Sequence, residues 1–135
     1  MEQGAYKGEV LQKIAGLSFI VGTIVLGVFG LLHPAEDLED LIATIQNIVD
    51  SNEGFWETDH ILIAVAYWAL LIGKVAVYRS ISSGGAAAWG RIGLYGMIID
   101  TTLRSVFLAI DGVVLAMVAE QWEGATGAGK EPLKR

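Results

Sequence analysis

An all-α polytopic membrane helical bundle is the fold class this chain predicts, and three observations predict it. Of its 135 residues 53% are hydrophobic and only 18% charged, with a mean hydropathy of +0.53. The apolar residues lie in long blocks, whereas the charges gather in a few short stretches. A soluble domain of this length needs a polar shell, which such a distribution does not supply. The composition thus excludes a disordered tail, a collagen and an ordinary soluble enzyme. A net charge of −6 and a pI near 4.7 argue against nucleic acid as a partner, since counterion release requires a basic surface. The chain has no cysteine, so disulfides, thiolate zinc sites and redox thiols are excluded.

Taken in order, residues 14–32 form nineteen consecutive uncharged positions, enough for one crossing of a roughly 30 Å hydrocarbon layer at about 1.5 Å per residue. Glu2, Lys7, Glu9 and Lys13 precede this run and no small-x-small cleavage pattern follows it, so a first transmembrane helix is a better reading than a signal peptide. His33 and Pro34 end it. Residues 36–50 place Leu38, Leu41, Ile42, Ile45, Ile48 and Val49 on one helical face, with Glu36, Asp37, Glu39 and Asp40 crowding the first turn. This segment is too short and acidic to span. It is expected to lie at the membrane surface over the mouth of the bundle, on protein rather than on anionic lipid.

Residues 59–78 are the second crossing, interrupted only by Lys74 near one end, from where the ammonium can snorkel to the headgroups. Ser82, Ser83, Gly84 and Gly85 have turn composition. The last block, residues 86–122, is about 55 Å long as a continuous helix. It carries Arg91, Asp100, Arg104, Asp111 and Glu120, but no Gly, Pro or Asn near residues 100–104 where a reversal would fall. One long helix is preferred, two short crossings being the alternative, and residues 123–135 form a polar tail. The domain is thus one integral membrane unit with three crossings, or four on the alternative reading.

Sidedness follows from Lys and Arg placement. From His33 to His60 there are eight carboxylates and no Lys or Arg, whereas Lys74, Arg79 and Arg91 flank the second connector. A plasma-membrane location with a cytoplasmic N-terminus and an external loop 33–60 is expected.

Ionisable residues at membrane depth are costly and need partners or a hydrated cavity. Counted outward from Tyr78 and Ala86, His60 and Arg104 should lie at one level. Asp100 and Arg104 are i, i+4 on one helix, and Asp111 continues that face. His33 ends the first crossing on the same side, and Glu57 and Asp59 stand just before His60. These seven residues make the candidate cluster. It either neutralises itself or, through His33 and His60, holds haem or a metal, passes protons, or binds a quinone or lipid head. ETDH, from Glu57 to His60, is one ExxH pair, half of what a di-metal carboxylate site requires. Phe55, Trp56, Tyr78, Trp89 and Trp122 have the distribution of an interfacial belt. Tyr67 and Trp68 lie mid-crossing, packing against a neighbouring helix or lining a pigment, lipid or quinone groove. Gly90, Gly93 and Gly96, with Gly16, Thr23, Gly27 and Gly30 of the first crossing, offer small faces for close helix approach.

The HP pair at residues 33–34, the WETDH opening the second crossing (a W-x-x-x-H) and the late IDGVVLAMVAEQW together resemble uncharacterised small multi-pass membrane proteins of bacteria and archaea. That resemblance implies a prokaryotic membrane protein and no particular activity. The expected function is non-catalytic: a small subunit or assembly factor packed against other membrane subunits or copies of itself, as well as lipid. The alternatives are a haem, metal, quinone or pigment-binding protein using His33 and His60, and an oligomeric proton or ion conductor. No nucleophile and base occur at a spacing that points to catalysis.

Overall fold

The computed structural model describes residues 2–34, 39–51, 54–81 and 83–125, with side chains from residue 8 onward. The described residues are helical apart from short connections, and contain no strand. The elements are α1 (Glu2–Leu32), α2 (Leu41–Asp50), α3 (Phe55–Ser80), α4 (Gly84–Ala109), a π-helical turn (Ile110–Leu115) and α5 (Ala116–Gly124). Helix α4, the π turn and α5 run on as one apolar helix of 41 residues, Gly84–Gly124. With α1 and α3 it makes three helices, among the described residues, that are long and apolar enough to cross a membrane. At about 1.5 Å per residue the last helix spans roughly 60 Å, twice the hydrocarbon thickness, so one end must project beyond it.

Helix α2 is shorter than the apolar periodicity suggests. Asp40 is its N-cap, its Oδ1 accepting from the amides of Ile42 and Ala43 at 3.0 Å each. Glu39 and Asp40 therefore precede the first turn instead of lying in it, because a carboxylate is better used bonding free amides than riding inside the helix. Expectations for Glu36, Asp37 and Leu38, and for the tail beyond residue 125, fall outside the described residues. At the other end Ser51 Oγ donates to the Ile48 carbonyl at 2.6 Å. Helix α3 then starts from Gly54, whose φ of 74° lies in the left-handed region that glycine tolerates best.

Helix α3 is the shared middle element. Its buried residues Trp56, Asp59, His60, Ile63, Ala66, Leu70, Leu71 and Gly73 come singly or in adjacent pairs about every three or four positions, and α1 and α4 each pack mainly on α3. Close approach is set by glycines other than those the small-residue pattern singles out. A Cβ on Gly22 would stand 2.9 Å from the Ala66 carbonyl oxygen, and one on Gly73 would stand 2.6 Å from the Phe19 side chain. Gly90 does face α3, against Tyr78, but Gly16, Gly27, Gly30, Gly93 and Gly96 have nothing within reach. Small residues in an apolar helix permit contact without specifying it.

The pairing of α3 with α4 also differs from the simple count across the turn. Tyr78 lies against Gly90, four residues beyond Ala86. The offset grows along the helices to seven or eight residues, so Arg104 meets Tyr67 while His60 meets Asp111 and Gly112. Above this level α2 packs on α5, with Ile45, Ile48, Trp56, Ala116 and Ala119 forming a buried core.

Gly22→Val should push α1 off α3 and lower stability by about 1–3 kcal/mol, the usual cost of overpacking. Gly27→Val, which enters open space, should leave stability nearly unchanged; thermal unfolding of both variants in detergent makes the comparison.

Candidate functional site

The C-terminal end of α1, the first turns of α3 and the π turn meet at one level. His33 follows the last residue of α1, held there by the stop at Pro34, and its Nδ1–H donates to Asp59 Oδ2 at 2.5 Å. Asp59 is fully buried, His60 is 2% exposed and Trp56 1%. These three stand on one face of α3 because residues three and four apart in a helix are neighbours. Their rings form a compact stack: His33 and Trp56 centroids are 5.3 Å apart, His33 and His60 4.9 Å, and Trp56 and His60 4.6 Å.

The proton positions are constrained by which groups can donate. His60 Nδ1 lies 2.7 Å from the Trp56 carbonyl oxygen, which can only accept, so Nδ1 carries hydrogen. The other nitrogen, Nε2, faces Asp111 Oδ2 at 3.2 Å. A neutral ring has one N–H, so it cannot donate to both acceptors at once. Asp59 Oδ1 is buried and has no hydrogen-bond partner among the described residues. A buried carboxylate oxygen left in this condition is energetically expensive.

The π turn supplies the fourth wall. Its backbone turns the Asp111 carbonyl toward Trp56, whose Nε1–H donates to it at 3.0 Å. Gly112 lets α3 come this close, since a Cβ there would stand 2.6 Å from the His60 Cβ. A single π turn in an otherwise regular helix often marks a functional position.

Of the seven residues of the candidate cluster, His33, Asp59, His60 and Asp111 are brought together. Asp100 and Arg104 are not. They pair with each other at 2.9 Å, each about half exposed, and the Arg104 guanidinium lies 5.1 Å from the centre of the Tyr67 ring. The shifted helix pairing carries them along α3 away from His60. Among the described residues Glu57 bonds to none of the other members and borders two hollows, one of about 260 Å³ between α2, α3 and α5, where Glu120 and Glu123 also stand, and one that contains His60. Trp68 Nε1 donates to Ser105 Oγ at 2.9 Å, and that hydroxyl donates to the Thr101 carbonyl at 2.8 Å. Trp68 also borders a groove of about 230 Å³ that reaches His60 along Ala64, Leu108 and Gly112. Tyr67 borders Arg104 rather than this groove, so the two aromatic residues do not act as one wall.

Trp56 and Gly112 are the site residues that sequence reasoning missed. Trp56 was expected in the interfacial belt, yet it is buried beneath α2. The W-x-x-x-H spacing was the available signal, since it stacks indole and imidazole on one face. Haem held axially by both histidines does not fit, because a porphyrin would have to enter between rings whose centroids are 4.9 Å apart. Two imidazoles and a carboxylate do suit a small metal ion.

Fold and site together define a multi-pass helical membrane protein with a buried His–Asp–Trp cluster at one end of its bundle. No protein-family model matches the chain, and no curated protein or solved structure is significantly similar to it.

Trp56→Phe keeps most of the ring and removes the indole hydrogen bond, so it should cost about 0.5–1.5 kcal/mol. Gly112→Ala should cost more, about 1–3 kcal/mol, by forcing His60 away from the π turn. Denaturant titration in a fixed detergent orders the two.

Proposed function

We propose that the chain is a non-catalytic integral membrane subunit that packs through α4 against a transmembrane helix of a larger complex. The observation carrying this reading is the Asp100–Arg104 pair. It lies midway along a helix suited to crossing the membrane, and both side chains are about half exposed. Charged groups facing hydrocarbon are costly even when paired, and a neighbouring helix with polar groups relieves that cost. Tyr67 covers one side of the guanidinium and leaves the rest uncovered. The small faces at Gly93 and Gly96, open in this structure, allow another helix to approach closely.

The same reading assigns the protein to the plasma membrane with its N-terminus in the cytoplasm. The His–Asp cluster and α2 then face outward, supported by eight carboxylates and no Lys or Arg from His33 to His60.

A photo-crosslinking residue at Leu103 or Phe107, exposed neighbours of the ion pair, tests the partner in native membranes. The expected result is a discrete protein adduct from these positions, reduced at least severalfold by Arg104→Gln. A second copy of this chain gives an adduct of twice the monomer mass and supports self-association instead of a larger complex. Adducts with lipid alone would overturn the reading.

A further inference from the structure

We propose that His33, Asp59 and His60 form a binding site for one divalent metal ion of the zinc class. One donor atom from each residue lies within 4.8 Å of the others. A tetrahedral ion with bonds of about 2.0–2.2 Å holds its donors roughly 3.4 Å apart. Asp59 Oδ2 is 2.5 Å from His33 Nδ1 and 4.0 Å from His60 Nδ1, so the two separations fall on either side of that value. An ion takes this place only if the His60 ring swings off the Trp56 carbonyl, now 2.7 Å from its Nδ1, and His33 Nδ1 draws back from Asp59.

Two further observations point the same way. Asp59 is fully buried, and its second oxygen has no partner among the described residues. Coordination would add a full positive charge beside this carboxylate, whose Oδ1 has no hydrogen-bond partner among the described residues. His60 supplies the second argument. With a metal on Nδ1 the single ring proton moves to Nε2, where it donates to Asp111 Oδ2 across the existing 3.2 Å contact. The mismatch between a one-proton ring and two contacts that both call for a donor is thereby removed. An imidazole bound on one nitrogen and hydrogen-bonded to a carboxylate on the other is the usual arrangement around a protein metal. The Trp56 carbonyl keeps the amide hydrogen bond of the α3 backbone when it loses the ring.

Ligand chemistry selects the ion. Two imidazoles and one carboxylate favour zinc and its neighbours over calcium or magnesium, which take oxygen shells. His33 is the one partly exposed ligand, 23% at its side chain, and marks the side from which an ion enters. Three protein ligands leave a fourth position for water or a further donor. This inference stands apart from the subunit reading, because the cluster and the Asp100–Arg104 pair share no residue.

The full-length protein, purified in mild detergent, freed of any affinity tag and stripped with chelator, is titrated with Co2+ as a spectroscopic probe and then Zn2+. One Co2+ per chain is expected, with the visible bands of a low-coordinate ion, displaced by Zn2+. His33→Ala, at the exposed edge, should abolish stoichiometric binding while circular dichroism stays helical. Asp111→Ala should weaken binding about 10- to 100-fold, as removal of an outer hydrogen-bond partner does. The chain contains two histidines, both in this site, so histidine-selective NMR of the unmodified protein reads the site directly. Zn2+ should shift both imidazoles. Failure of the folded protein to bind either ion, unshifted imidazoles, or undiminished binding by His33→Ala would overturn the proposal. Loss of the crosslinked partner in native membranes leaves these readouts unaffected.

Discussion

A carboxylate shut away from solvent between two imidazoles sets the terms for the end of the molecule where α1 stops and α3 begins. Removing Asp59 from water is costly, and the cost is recovered only if positive or hydrogen-donating groups stay beside it. His33 meets that need from the end of α1, which fixes where the first helix stops relative to the third. His60, one position further along α3, extends the constraint to the π turn through Asp111. Trp56 then ties the same turn to the layer above by donating to the Asp111 carbonyl while its ring packs under α2. Apolar contact along α1, α3 and α4 is compatible with sliding. The polar end is not.

Below that level the bundle is a thin array rather than a closed core. Helix α3 is flanked by α1 and α4, and both flanking helices keep most of their apolar side chains on the outside. In lipid this is no penalty, because hydrocarbon tails are as apolar as leucine. The glycines at 22, 73, 90 and 112 bring the backbones together where contact is made. Polar side chains within the span bond locally: Trp68 with Ser105, Arg104 with Asp100, Thr102 with the carbonyl four residues back.

How much of this was legible in the sequence depends on the kind of information involved. Uncharged runs and their lengths reported the crossing helices directly, because the bilayer imposes a length. The apolar spacing of Ile45, Ile48 and Val49 reported a helix lying on protein, since one face was periodic and no basic residue was present to hold lipid. The relative depth of α3 and α4 was not legible. It depends on the path of the chain around Gly84 and on how the two helices then cross: the offset is four residues at Tyr78 and seven where Arg104 meets Tyr67 instead of His60. Nor does any residue code announce a π turn, although Gly112 in an apolar helix was a trace of it. Trp56 was misread because tryptophan near a helix end usually marks the headgroup layer. Here the imidazole one turn later draws it inward.

The long final helix has a consequence for the order in which the molecule is completed. Helix α2 emerges from the ribosome early, yet the residues that bury Ile45 and Ile48 include Ala116 and Ala119, some seventy positions later. A ten-residue helix is marginal in isolation. Until the last helix is in place, α2 has no floor on that side, and His60 lacks the Asp111 and Gly112 that stand against it. Synthesis thus closes the structure at its oldest exposed segment last, and the final helix acts as the latch.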